Sequence, residues 1–89
     1  MKVEFIEKEE VSNYHFVEAD KKESQITKEK LERAVRLGND YKGKTQITFM
    51  TDQGPKKIET TVWTLTENHI QIKGSVSIPL KSLINLDWS

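Results

Sequence analysis

The sequence predicts an α+β domain, mainly β, with one short helix packed on a bent five-stranded antiparallel small barrel. Three observations lead there. Residues 27–37 place apolar side chains at helical spacing between a capping threonine and a glycine. Residues 44–89 alternate apolar and polar positions in short runs separated by turn clusters. One of those runs, 56–65, changes parity partway along, as a strand does when it bends.

The chain divides into an acidic N-terminal segment, residues 1–25, and a helix-plus-barrel domain, residues 26–89. In the first part Val3 and Phe5 alternate, as do Tyr14 and Phe16, so one or two short strands are expected there. Glu18 to Ser24 reads as a polar linker, and the segment is expected to add less stability than residues 44–89. The helix starts at Thr27, whose hydroxyl can accept a hydrogen bond from a free first-turn N–H. Ile26 and Leu31 match a hydrophobic staple. Leu31, Ala34 and Val35 share a face, and Gly38 stands where a left-handed residue would end the helix. So short a helix is marginal alone and must dock its apolar stripe on the sheet.

The strands follow in order. Thr45–Thr51 sets Ile47 and Phe49 on one face and Gln46 and Thr48 on the other; Asp52 to Pro55 is a turn. In 56–65, Ile58, Thr60 and Val62 share a face that Trp63 and Leu65 do not, which predicts a bulge or sharp bend near Val62 and Trp63. Thr66–Asn68 and Gly74-Ser75 turn the chain around a strand carrying Ile70 and Ile72. Val76 and Ile78 begin the next strand, which Pro79 ends. Leu80–Leu83 is about one 3₁₀ turn. Ile84, Leu86 and Trp88 then alternate in a closing strand, which would put all three on one face and Trp88 over the end of the core.

Helix, strand, long bent strand, strand, strand, 3₁₀ turn and strand, over residues 27–89, resembles the layout of SH3-like and Sm-like barrels, including the Hfq RNA chaperones of bacteria. Thr45–Thr51, Asp52-Gln53-Gly54 and Ile78–Ile84 carry the likeness. The Tyr-Lys-His signature of Hfq would fall near Pro79-Leu80-Lys81 and is absent, so no RNA-binding residue carries over. Lys73-Gly74-Ser75 looks like the Arg-Gly motif of Sm proteins but lies one turn early. Glu59–Trp63 with Ile70–Gly74 and Ile78-Pro79 is also similar to uncharacterised short proteins of Bacteroidetes, which implies a bacterial source and transfers no activity. Barrels of this kind host many unrelated functions, so the site has to be argued from its own residues.

Composition narrows the classes. In 89 residues, 35% are hydrophobic and 31% charged, so the chain is polar without the composition of a disordered one. Basic and acidic residues balance at 14 each, unlike a strongly basic nucleic-acid binder. The balance is uneven along the chain: residues 1–26 carry −3, residues 27–89 carry +3, and 28–57 alone carry +4. Without cysteine there is no disulfide framework, thiol nucleophile or cysteine-ligated metal, which fits a reducing cytoplasm. No apolar run is long enough for a signal peptide or a membrane span.

No catalytic, cofactor-binding or metal residues are assigned, and the chain is read as a non-enzyme. His15 and His69 lack ligand-spaced neighbours. Glu9-Glu10 is a poor acid–base pair because adjacent side chains point apart, and the serines lack a nucleophile elbow. The four glycines are too dispersed to cradle phosphate. What remains is a non-catalytic protein-interaction or regulatory module, with Trp63, Trp88 and Tyr41 as candidate partner anchors. An open sheet edge would accept a peptide strand, and the acidic segment could fill such an edge at rest. The alternative is an Sm-like nucleic-acid (RNA) binder using Lys28, Lys30, Arg33, Arg36, Lys42 and Lys44. Only Tyr41 in that patch could stack a base.

Overall fold

A computed structural model describes residues 3–22, 24–41 and 43–88, with the Tyr41 side chain left out. Its order is β1 (Glu4–Phe5), a 3₁₀ helix (Lys8–Asn13), α1 (Lys28–Tyr41), β2 (Thr45–Thr51), β3 (Gly54–Thr60), β4 (Val62–Leu65), β5 (His69–Ile72), β6 (Val76–Pro79), a 3₁₀ turn (Leu80–Ser82) and β7 (Leu83–Asp87). Thr27 caps α1 as expected: its Oγ1 accepts from the Lys30 N–H at 3.1 Å. The helix then runs through Gly38 instead of stopping there. Gly38 is a packing residue: a Cβ at this position would overlap the Val62 carbonyl oxygen and crowd the Thr61 methyl at 3.1 Å. Lacking a side chain, it lets α1 lie directly on the start of β4.

The strands form a four-stranded sheet, β1-β3-β2-β7, and a three-stranded sheet, β4-β5-β6. The long second strand is therefore two strands in two sheets, interrupted at Thr61. Its β3 half pairs antiparallel with β2, Ile47 opposite Ile58, and its β4 half pairs with β5. The two sheets are not closed into one barrel by a shared ladder among the described residues. Instead they enclose one apolar core with α1 against it, built on Ile47, Phe49, Ile58, Val62, Ile70, Ile72, Ile78, Leu83 and Leu86. Leu31 and Ala34 enter that core from the helix, and Val35 packs on its margin. The turn glycines Gly54 (φ +97) and Gly74 (φ +94) take backbone angles that side chains rarely adopt, and the hairpins they serve match the sequence.

The closing strand departs from the expected alternation. Thr48 faces Asn85 and Phe49 faces Leu83, so Ile84 is an extra, bulged residue. Leu83 and Leu86 reach the core on either side of the bulge, and Ile84 is buried outside the main cluster.

The N-terminal segment is fastened along its length. β1 pairs parallel with β3, Glu4 beside Lys56 and Phe5 beside Lys57, so an acidic strand does cover this sheet edge. Ile6 and Val11 belong to the core, Val11 with no exposed surface. Val11 gets there because the 3₁₀ helix turns it inward; Glu10 accepts from the Glu7 N–H at 3.0 Å and closes the turn. Phe16 bridges Thr51 and sets its ring edge-on to Phe49 with centroids 5.6 Å apart. The stretch read as a linker is tied down too. Ala19 N–H donates to Lys81 O at 2.8 Å, and Ser24 Oγ donates to Leu83 O at 3.1 Å. Gln25 N–H donates to Ile84 O, so this stretch covers the outer edge of β7.

Candidate functional site

The expected anchors separate cleanly. Trp88 is half-buried against the core, and the Arg33 guanidinium lies 4.7 Å from its ring centroid. It packs against the core cluster beside α1. Trp63 is 43% exposed. The reason is local: Val62 pairs with Ile72 and Thr64 with Gln71, so Trp63 is the unpaired residue of a bulge. In a regular strand Val62 and Thr64 would point inward together. The bulge turns Leu65 toward the core in place of Thr64 and leaves Trp63 and Thr64 outside. The side chain of Tyr41 and all of Lys42 lie outside the described residues.

Trp63 stands on an open cleft of about 460 Å³ whose other walls are Gly38, Asn39, Lys44, Thr61 and Lys73. Each wall has a structural origin. Gly38 brings the last turns of α1 against β4, and Thr61 is the break between the sheets. Lys44 is the last residue before β2. Lys73 follows β5, and its N–H donates to Thr61 O at 3.0 Å, which pins it to the break. Lys44 and Lys73 are exposed, and neither forms an ion pair among the described residues.

A second cleft of about 380 Å³ adjoins the first and shares Lys44, Thr61 and Lys73 with it. It continues past Lys8, Glu7 and Glu59 to Phe5, the most exposed aromatic among the described residues at 58%. A groove thus runs from Trp63 to Phe5 with two lysines at its middle. Burial of apolar surface at its ends and charge at its waist are what it offers a ligand.

Among the described residues, the basic side chains expected for nucleic acid have different surroundings. Lys30 Nζ donates to Asn85 Oδ1 at 2.8 Å, and Arg33 is spent on Trp88. Arg36 lies beside Glu32 and Asp40 in a separate hollow, Lys28 is exposed at the far end of α1, and Lys44 faces the groove. Lys73 and Phe5 also line the groove, although the sequence marks Lys73 only by its likeness to an Sm motif and Phe5 only as part of a short strand. The alternation of Ile70 and Ile72 gave an indirect signal for Lys73, since it leaves Lys73 off the inward face; nothing local linked it to Lys44. His15 and His69 are exposed on separate elements. Among the described residues no three His, Asp or Glu side chains come together as a metal site would need, and no helix is long and apolar enough to cross a membrane.

Comparisons with protein-family models, with curated proteins and with solved structures match nothing to this chain.

Proposed function

We propose that the chain is a non-catalytic protein-interaction module built on an SH3/Sm-like small barrel, and that it holds its partner in the groove under Trp63. The strand arrangement supports the barrel reading. The first half of the bent strand joins β2 and β7, and the second half joins β5 and β6; a helix stands ahead of them and a 3₁₀ turn stands before the last strand. The observation that carries the function is Trp63. A large aromatic raised out of the sheet by a bulge, beside a cleft, has left the core to which the neighbouring Val62 and Leu65 contribute.

The test is selection of a displayed random-peptide library on the full chain, followed by titration of the enriched sequences. Binding that disappears in Trp63→Ala while the melting temperature stays at the parent value supports the module. Enriched peptides indifferent to Trp63 would refute it. The nucleic-acid reading is tested by titrating labelled single-stranded RNA at two salt concentrations, with little or no binding expected at physiological salt. Sub-micromolar, salt-sensitive affinity lost on Arg33→Glu with Arg36→Glu would reverse the ranking.

A further inference from the structure

We infer that the partner of this groove is an extended segment with carboxylates at its centre and apolar side chains at both ends; the inference rests on the interaction reading above. Charge decides the centre. Lys44 and Lys73 line both clefts, are exposed, and make no ion pair among the described residues. Among the described residues the Trp63 cleft has no acidic wall, so its two lysines face it without a counter-charge there. Two ammonium groups at one waist repel each other, and a carboxylate placed between them relieves that repulsion while forming charge-assisted hydrogen bonds.

The ends are decided differently. Trp63 gives one end an aromatic surface, and Phe5 with Ile6 gives the other an apolar one. Glu7 and Glu59 line the Phe5 cleft together with Lys8, so charge beyond the waist is offset and a carboxylate gains most where Lys44 and Lys73 face the Trp63 cleft. Nucleic acid fits less well: its phosphates repeat along the whole strand and would meet both glutamates. Apolar residues flanking a short acidic run match Trp63 and Phe5 at the ends and Lys44 and Lys73 between them. The exposed lysines set the rate and selectivity of encounter, and the two aromatic ends set residence.

The probe is a short acetylated, amidated peptide with leucines at both ends of an Asp-Glu-Glu run. Controls replace the run with glutamines or with lysines, and a short oligothymidine represents nucleic acid. Binding to the full chain is read by fluorescence anisotropy and by amide shifts at Thr61 and Lys73. The acidic peptide is expected to bind best, more weakly as salt rises, with Lys44→Glu or Lys73→Glu each weakening it about tenfold or more. The double variant Lys44→Glu, Lys73→Glu should instead prefer the lysine peptide; this inversion shows that the variant is folded. If all three peptides bind alike and all are lost in Trp63→Ala, the acidic assignment is wrong and the interaction reading survives. If no peptide binds and oligothymidine does, both fall. If nothing binds, the inference is likewise overturned.

Discussion

Replacing Gly38 by alanine tests the packing that creates the groove. On an exposed helical surface this change is favourable by about 1 kcal/mol, because alanine loses less backbone entropy in a helix. At Gly38 the new Cβ overlaps the Val62 carbonyl oxygen, with Val62 C at 3.2 Å and the Thr61 methyl at 3.1 Å. The obstacle is backbone in a paired strand, which cannot rotate aside as a side chain could. Overpacking of this kind costs typically 1–3 kcal/mol, and about 3 applies when backbone must move. The net is about 2 kcal/mol of destabilisation, or a fall in melting temperature of about 8–16 °C for a domain of this size. Thermal melts of Gly38→Ala beside Asn39→Ala, an exposed position on the same turn, give the comparison. A Gly38→Ala protein as stable as its parent, or more so, would refute the close approach of α1 to β4. It would also remove the account of why the cleft has a floor at Gly38.

Three further outcomes are expected. Deleting residues 1–25 should leave a chain without cooperative melting, since Ile6 and Val11 fill the core and residues 24–25 cover the β7 edge; a sharp transition in the product would show that the segment is dispensable. Trp88→Ala should lower stability by about 2 kcal/mol, below the 3–5 kcal/mol of a fully buried tryptophan because this one is half-exposed; an unchanged melt would make Trp88 a surface residue. Lys56 has its pKa raised above 10.5, chiefly by the hydrogen bond its ammonium donates to Glu4 at 2.8 Å, with burial opposing and the charges of Glu4 and Tyr14 adding. A raised lysine pKa contributes stability that is fully present below 10.5 and lost as pH rises through the folded-state value. The gap in melting temperature between the parent and Glu4→Gln should therefore close in alkaline buffer; a gap that persists unchanged would disprove the coupling.

Residues 27–88 were largely legible because their signals are local. The cap at Thr27, the turns at Asp52-Gln53 and Gly74-Ser75, the 3₁₀ turn after Pro79 and the bend near Val62 each follow from neighbouring residues. Gly38 misled because glycine has two uses at a helix: ending it through a left-handed angle, and allowing something to lie close against it. Only the position of Val62, distant in sequence, distinguishes them. Ile84 misled for a related reason: the bulge opposite Thr48 and Phe49 shifts parity, and Ile84, Leu86 and Trp88 look like unbroken alternation. The N-terminal segment was least legible. Its charges suggested solvent, and its two residues in the core cluster sit apart, Ile6 between β1 and the 3₁₀ helix and Val11 within that helix, so no periodic pattern announces them.

The candidate site was hidden by the same non-locality, and the break at Thr61 explains where it formed. A strand that bends from one sheet into another leaves backbone without a ladder partner at the corner. Here Thr61 O is satisfied by the Lys73 N–H, which brings the end of β5 to the corner. Leu65 regains the core only if an extra residue is inserted just past the corner, and that residue is Trp63. The fold thus places an exposed aromatic and a lysine at one point for reasons of chain geometry alone. What geometry does not require is that the displaced residue be tryptophan, since the bulge exposes whatever side chain occupies it and water favours a polar one. Trp63→Thr should accordingly leave the melting temperature within about 2–4 °C of the parent, the shift of roughly 0.5 kcal/mol typical of exposed sites. A much larger loss would mean that the indole stabilises the corner, and Trp63 would no longer distinguish a binding surface from a structural one.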